Sequence, residues 1–180
     1  MIADTLREIR KLLRLRMNGE VSASMRKLGL DYKINFGLDA ISIKEIASRY
    51  IPDTILSEAL WAESSREGKI LATLLYPKNE FSSQKADEWI DGCFTTELAE
   101  QLCFNLLQHL DFAADKSIEW IMCSDDNIKS YGYLLLLRLI LSKKELPDLS
   151  IVLESSEKDM QSSHFQLKQQ ATRLHERCIF

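Results

Sequence analysis

Three tryptophans recur at nearly constant spacing and divide the middle of the chain into similar segments. Trp61, Trp89 and Trp120 are 28 and 31 residues apart, and each stands near the end of an apolar pattern with helical period. Thirteen residues after each tryptophan, a large side chain follows within a second such pattern. These side chains are Leu74, Leu102 and Tyr133. Paired helices that repeat in this way bury their apolar faces by stacking, so the spacing predicts a helical solenoid with the tryptophans mostly buried between layers.

The helical period extends along most of the chain. Six glycines and three prolines are few for 180 residues, whereas an all-β sandwich or barrel needs many turn formers. We therefore predict an all-α fold in a single domain over residues 1–180, with a helical cap over about 1–30 and repeats over about 31–180. Gly132 indicates a close helix approach. Pro147 and the apolar run Leu149–Leu153 leave residues 143–155 open, with a short helix as one alternative. The predicted helices span about 2–13, 21–28, 39–50, 53–61, 66–75, 83–91, 98–110, 115–123, 127–142 and 157–176.

Charge is distributed unevenly along the chain. The formal net charge is −4, which is not typical of a chain that binds nucleic acid over its whole surface. Residues 1–33 nevertheless hold eight Lys or Arg against four Asp or Glu, a balance of +4, and the remainder sums to −8. Either a polyanion meets one end or one face of the protein, or these charges are solvated helix surface.

Metal, cofactor and membrane sites have no recognisable signature. The four cysteines lack C-x-x-C spacing and the three histidines stand apart from them, so we expect reduced core thiols and no metal. No P-loop or G-x-G-x-x-G occurs, and no cofactor is predicted. The N-terminus lacks the apolar run of a signal peptide, and the longest apolar stretch, Tyr133–Leu137, falls far short of the ~20 residues of a membrane span. The prediction is a cytoplasmic protein with no membrane partner.

Two blocks carry more distinctive residues than amphipathic helices require. One is Asn35-Phe36-Gly37-Leu38 followed by Ile43–Ala47, and the other runs from Ala59-Leu60-Trp61 through Ser64-Ser65-Arg66-Glu67 to Leu71–Leu75. The similarity continues through Trp120 and Ser124–Asp126. Over about residues 5–175 the chain resembles the DNA alkylation repair glycosylases that are built from HEAT-like repeats.

The resemblance implies a fold and a chemistry. The resemblance implies a concave face that binds double-stranded DNA, with the hallmark residues at the start of one of its helices. A purine alkylated at N3 or N7 is cationic and its glycosidic bond is already weak, so a carboxylate and aromatic faces suffice to stabilise an oxocarbenium-like sugar. Relatives of this kind act without enclosing the base in a pocket, unlike enzymes that flip bases.

The hallmark positions of that family are only partly kept here. Thr96 stands where the resemblance places an aromatic residue, and Glu100, four residues later, stands where it places the catalytic aspartate. Tyr131 falls on the arginine of the next repeat, and a later tryptophan falls near Thr172. Glu100 is therefore the candidate catalytic residue. The alternative is a solvated or ion-paired carboxylate without a catalytic role.

Two functional hypotheses follow. One is a DNA-repair protein that binds damaged or distorted duplex and whose glycosylase activity is weak or lost. The other is a non-enzymatic helical-repeat scaffold for a protein partner, which the net acidity and the missing aromatic favour. If the concave face binds DNA, its candidate contacts are Arg66, Lys69, Lys129, Tyr131 and Lys168.

Overall fold

The computed structural model describes residues 2–179, without the side chain of residue 179, and is all-helical over that range. Helices account for 69% of the chain, and no strand occurs among the described residues. The helices are α1 (Ile2–Leu15), α2 (Gly19–Lys27), α3 (Ala40–Ala47), α4 (Thr54–Trp61), α5 (Arg66–Leu75), α6 (Ser83–Asp91), α7 (Thr96–Asn105), α8 (Ala113–Ile121), α9 (Asp126–Leu141), α10 (Ser150–Asp159) and α11 (Phe165–Ile179). Single turns of 3-10 helix span Lys78–Glu80 and Leu107–His109. The all-α prediction is confirmed.

Two compact units make up the chain. The first, Met1–Phe81, contains α1 to α5, and the second, Ser82–Phe180, contains α6 to α11. In the first unit α5 packs against α3 and α4, and α1 packs against α4. In the second unit α9 packs against α7, α8 and α11, so it forms the centre of that unit. A single repeat domain over 1–180 stays a prediction.

Side-chain caps set most of the helix starts. A short polar side chain before the helix accepts a hydrogen bond from a backbone N–H in its first turn, which satisfies a donor that has no partner within the helix. The Asp53 carboxylate, for example, accepts from the Leu56 N–H at 2.7 Å. The capping residues are Asn18, Asp39, Asp53, Ser65, Ser82, Thr95 and Asp125.

Two of the predicted helix pairs pack together, α4 with α5 and α8 with α9, whereas α6 and α7 follow each other in the chain and each packs against α9. Trp89 and Trp120 are 2% and 3% exposed, as predicted for tryptophans between layers, whereas Trp61 is only partly buried. The Trp120 indole N–H donates to the Asp87 carboxylate at 2.8 Å, which ties α8 to α6. α8 is thus bound to α6 by a polar contact as well as by burial of its tryptophan.

Gly132 brings α9 against α8. A Cβ atom there would lie 2.8 Å from the backbone N of Ile121 and 2.8 Å from the carbonyl oxygen of Ser117. Real Cβ atoms do not come so close to backbone atoms, so this position accepts no larger residue without moving a helix. The prediction that this glycine permits a close approach is confirmed.

Two predicted helix boundaries are wrong. The single helix expected over 157–176 is two helices, α10 and α11, separated by residues 160–164. The helix expected over 98–110 ends at Asn105, where Leu106 leaves the helical conformation before the 3-10 turn. In both cases apolar side chains on each side of the break enter the core, such as Val152 with Leu167, and Leu102 with Leu107. Periodicity continues across a break when both sides face the same interior, so the pattern does not reveal the break.

The loop before α3 is held by a buried ion pair at the start of α5. Glu67 is 0% exposed, and its carboxylate accepts from the backbone N–H groups of Phe36 and Leu38 at 3.0 and 3.2 Å. The Arg66 guanidinium, 5% exposed, donates to the Leu38 carbonyl and to Glu67, both at 3.0 Å. The Asn-Phe-Gly-Leu and Arg-Glu motifs of the sequence therefore contact each other.

Gly37 is required inside this loop. Its φ of +72° is a conformation that other residues rarely adopt, and a Cβ atom would lie 2.2 Å from the Asn18 carbonyl oxygen. The Asn18 N–H donates to the Phe36 carbonyl at 2.8 Å, so the start of α2 rests directly on the loop. The loop therefore connects α2, α3 and α5.

We expect Glu67→Gln to destabilise the first unit strongly. The glutamine amide turns an NH₂ toward one of the two backbone donors and leaves the Arg66 charge unbalanced, a loss of about 3 kcal/mol or more in the free energy of unfolding. Urea denaturation measures it. Glu88→Gln is the control, because Glu88 forms an exposed ion pair with Lys85 and should lose less than about 1 kcal/mol. Equal, small losses in both variants would show that the buried pair does not hold the loop.

Candidate nucleic-acid interface

Three helices of the second unit carry most of the predicted site. Glu100 lies on α7, Lys129 and Tyr131 on α9, and Lys168 on α11, with α9 packed against both of the other helices. Glu100 borders a cleft of about 280 Å³ between α7 and α9. Arg66 and Lys69 lie on α5, in the first unit.

The Glu100 carboxylate is a charged group in a partly desolvated place. The residue is exposed, but loss of water around the carboxylate raises its pKa above the usual value, and the Glu97 charge adds to this effect. Arg173 on α11 acts in the opposite direction through its positive charge. Arg173 was not singled out from the sequence. It directly follows Thr172, near which the resemblance places a tryptophan. A basic residue beside that position is the one sequence feature by which it could have been found.

Thr96 joins two helices. Its hydroxyl oxygen accepts a hydrogen bond from the Gln166 amide of α11. The residue that stands at the aromatic position of the family hallmark thus forms a polar link between α7 and α11. It presents no ring on which a base could stack.

Tyr131 is part of the interior. It is 4% exposed, and its hydroxyl donates to the Cys93 carbonyl at 3.3 Å. Burial raises the pKa of Tyr131 to about 12, so the phenol is neutral at physiological pH. A second cleft of about 300 Å³ beside it includes the carboxylates of Asp91 and Asp125, which repel phosphate.

Lys129 takes part in a buried polar network. Its ammonium lies 2.8 Å from the Asp159 carboxylate, and the Tyr133 hydroxyl donates to the other oxygen of that carboxylate at 2.7 Å. Burial raises the pKa of Tyr133 further above its usual range. These three side chains tie α9 to the end of α10.

The two predicted contacts of the first unit are also engaged within the fold. Arg66 forms the buried pair with Glu67. The Lys69 ammonium lies 4.7 Å from the centroid of the Trp61 ring and donates to the Trp61 carbonyl. Of the five predicted DNA contacts, Lys168 alone is exposed; the other four are buried or half-buried.

The cleft beside Glu100 contains one aromatic face. The Arg138 guanidinium lies 4.2 Å from the centroid of the Phe104 ring, and its Nε–H donates to the Gln108 side chain at 3.2 Å. Phe104 is 37% exposed. Neither residue was singled out from the sequence, because a phenylalanine and an arginine on amphipathic helices carry no distinctive spacing.

The sequence of residues 9–172 matches the model of the DNA alkylation repair enzyme family. The chain belongs to this family. A solved structure of "a new family of proteins related to the HEAT-like repeat DNA glycosylases with affinity for branched DNA structures" is similar to this chain, with a TM-score of 0.80 and 20% sequence identity. The similarity covers 93% of this chain and 73% of that chain. No curated protein matches the sequence.

Family membership confirms the resemblance that the sequence indicated, and the structural similarity confirms the HEAT-like helical-repeat fold. Among residues 2–179, no helix is both long and apolar enough to cross a membrane. No group of three or more His, Cys, Asp or Glu side chains within that range is arranged to hold a metal ion.

The two units differ in charge. Residues 1–81 contain 13 Lys or Arg and 11 Asp or Glu, a net charge of +2, whereas residues 82–180 contain 10 and 16, a net charge of −6. The unit that contains Glu100 is therefore the acidic one. Long-range electrostatics of that unit oppose the approach of a polyanion.

We expect Glu100→Gln to stabilise the protein slightly at pH 7. The folded state raises the Glu100 pKa and so binds its proton more tightly than the unfolded state does. Ionisation therefore removes stability as the pH rises from the unfolded value through the folded value. The variant lacks this loss, so its melting temperature should equal or exceed that of the wild type at pH 7, with the gap closing below about pH 4. A variant less stable than the wild type at pH 7 would show instead that Glu100 forms a stabilising pair with Arg173.

Proposed function

We propose that this chain is a DNA-repair protein that binds distorted or branched duplex DNA, and that it has little or no alkylpurine glycosylase activity. The interface would be the α7–α9–α11 side of the second unit, where Glu100, Lys129 and Lys168 lie. Membership of the DNA alkylation repair family over residues 9–172 carries the proposal. The affinity of the structural neighbour for branched DNA supports the choice of ligand.

Weak or absent excision is inferred from the side chains at the hallmark positions. A cationic alkylpurine needs an aromatic face and a carboxylate near the sugar. Thr96 bonds to Gln166, and Tyr131 is buried against Cys93, so neither supplies an exposed face or a cation. Glu100 keeps a carboxylate on α7. Partial desolvation disfavours its charged form, and the positive charge of Arg173 partly offsets this effect.

Binding is tested by fluorescence anisotropy at low salt. The probes are a four-way junction, a plain duplex of the same length and the same duplex with one N7-methylguanine. We expect the junction to bind at least about tenfold more tightly than the plain duplex, with weak and strongly salt-dependent binding overall, because phosphate contacts release counterions. Equal affinity for all three probes would overturn the preference for branched DNA. A complete lack of binding would overturn the function.

Excision is tested by release of N7-methylguanine from duplex DNA. We expect little or none from the wild-type protein. If release is measurable, Glu100→Gln should lower it by about 10²-fold, as loss of one preorganised electrostatic group does in other enzymes. Release gained in Thr96→Trp alone would identify a site that lost its aromatic residue. Robust wild-type release that Glu100→Gln does not change would show that the carboxylate is assigned incorrectly.

The competing function is a scaffold for a protein partner. The acidity of the second unit and its exposed apolar side chains, such as Phe165 at 75% and Ile151 at 57%, favour it. The binding experiment separates the two functions, because a scaffold has no measurable affinity for any of the three DNA probes.

A further inference from the structure

The orientation of α1 is fixed by contacts on its inner side. Ile9 and Leu13 are both 0% exposed and anchor the helix in the core of the first unit. Two of its basic side chains form ion pairs. The Arg10 guanidinium lies 2.7 Å from the Glu63 carboxylate beyond α4, and the guanidinium of Arg16, just after α1, lies 2.7 Å from Glu45 on α3. These charges are therefore balanced within the unit.

The other basic side chains of α1 point away from the core. Arg7, Lys11 and Arg14 are exposed, and their spacing of four and three residues places them within about 60° around the helix axis. They span about 10 Å along that axis. Lys11 and Arg14 have no ion-pair or hydrogen-bond partner among the described residues, and Arg7 pairs with the exposed Asp4 at 3.2 Å. We call these three residues the α1 basic face.

The acidic residues of α1 are Asp4, which pairs with Arg7, and Glu8. Glu8, on the same helix, lies toward Tyr50, whose pKa is raised by burial first and by the Glu8 charge second. On the neighbouring α2 the last turn holds the exposed Arg26 and Lys27, with Glu20 at the opposite end. The first unit thus presents unpaired positive charge at its surface, and its net charge is +2 against −6 in the second unit.

From this arrangement we propose that the α1 basic face is a second DNA-binding surface, which holds the phosphate backbone of a duplex arm. Each strand of a duplex carries one phosphate per about 3.4 Å of axial length, so about three phosphates of one strand lie within 10 Å, as many as the cations of the α1 basic face. This surface lies on a different unit from the Glu100 side chain and reads no bases. The inference rests on the proposed DNA binding, and it assigns the electrostatic part of that binding to the basic unit.

The test removes the three charges together. In the full chain, Arg7→Gln, Lys11→Gln and Arg14→Gln are combined, and binding to the plain duplex is titrated between 50 and 200 mM salt. Each lost phosphate contact lowers the slope of log K against log salt by about 0.9, so the slope should fall by about two to three units and the affinity at 50 mM salt by about tenfold or more. The control combines Lys143→Gln, Lys144→Gln and Lys158→Gln, which removes the same charge from exposed positions of the second unit outside α7, α9 and α11. Lys158, like Arg7, has an exposed ion-pair partner. The control should bind within about twofold of the wild type, with the same salt slope.

A single substitution in the opposite direction gives a second readout. Asp4→Asn removes the exposed partner of Arg7, so it should increase affinity and steepen the salt slope. This variant changes no buried residue, and it keeps the proposal testable if the triple variant is unstable. A triple variant that unfolds, together with an Asp4→Asn slope equal to that of the wild type, would count against the surface.

The outcomes separate this inference from the proposed function. If the wild type binds DNA and the triple variant keeps the same slope, the α1 basic face is not a binding surface, although the protein still binds DNA. If the triple and control variants lose affinity equally, net charge rather than this face is responsible, and the inference is wrong. If the wild type binds no DNA, the proposed function is wrong and the inference fails with it. The last comparison uses phosphatidylserine vesicles. If the triple variant no longer sediments with them but binds DNA as the wild type does, the α1 basic face binds a membrane surface and the proposal is wrong.

Discussion

The Glu67 carboxylate has no contact with solvent, so protein groups must balance its charge and satisfy its oxygens. The carboxylate accepts hydrogen bonds from two backbone N–H groups of the loop before α3 and from the guanidinium of Arg66. In this loop the Phe36 carbonyl accepts a hydrogen bond from the N–H of Asn18, the residue before α2. Only glycine fits at position 37, because the loop backbone lies directly against Asn18. The position of three helices in the first unit therefore depends on one ion pair at the start of α5. The pair also explains why Arg66, which a family motif makes conspicuous, is turned inward.

In the second unit, two lysines form ion pairs that join neighbouring helices. One of them, Lys129, is a predicted DNA contact. Lys116 lies 3.0 Å from the Asp87 carboxylate, and Trp120 donates to the same group, so α6 and α8 are joined. Lys129 and Tyr133 share Asp159 in the same way. The Lys116 side chain is buried, and the Lys129 ammonium is paired with the buried Asp159. Such a cation has lost the freedom to follow a phosphate backbone, because breaking the pair leaves an uncompensated charge in a desolvated place. The Lys116 and Lys129 ammonium groups therefore hold helices of the second unit together.

The charges that remain unpaired are distributed unequally between the two units. On α1 the Arg10 charge is balanced by Glu63, whereas Lys11 and Arg14 are exposed and unpaired among the described residues. The unit that contains Glu100 is strongly acidic. Attraction of DNA and chemistry on DNA would then reside in different units. A carboxylate such as Glu100 stabilises a sugar cation only where the substrate is already held. The missing aromatic face at Thr96 and the buried Tyr131 are consistent with a protein that recognises DNA shape rather than one that cleaves a glycosidic bond.

Local patterns in the sequence determined the helix pairs. The tryptophan spacing, the apolar period and the caps at Asp53, Ser65 and Asp125 act within a few residues of each helix, so they are visible in the chain itself. The family resemblance likewise identified Glu100 as the candidate carboxylate. The tertiary structure decided what these patterns do not contain: the break between α10 and α11, the inward turn of Arg66 and Lys129, and the approach of Arg173 to Glu100. Each of these depends on groups at least about thirty residues apart in sequence or on which side chains share one core, and no local period records that proximity.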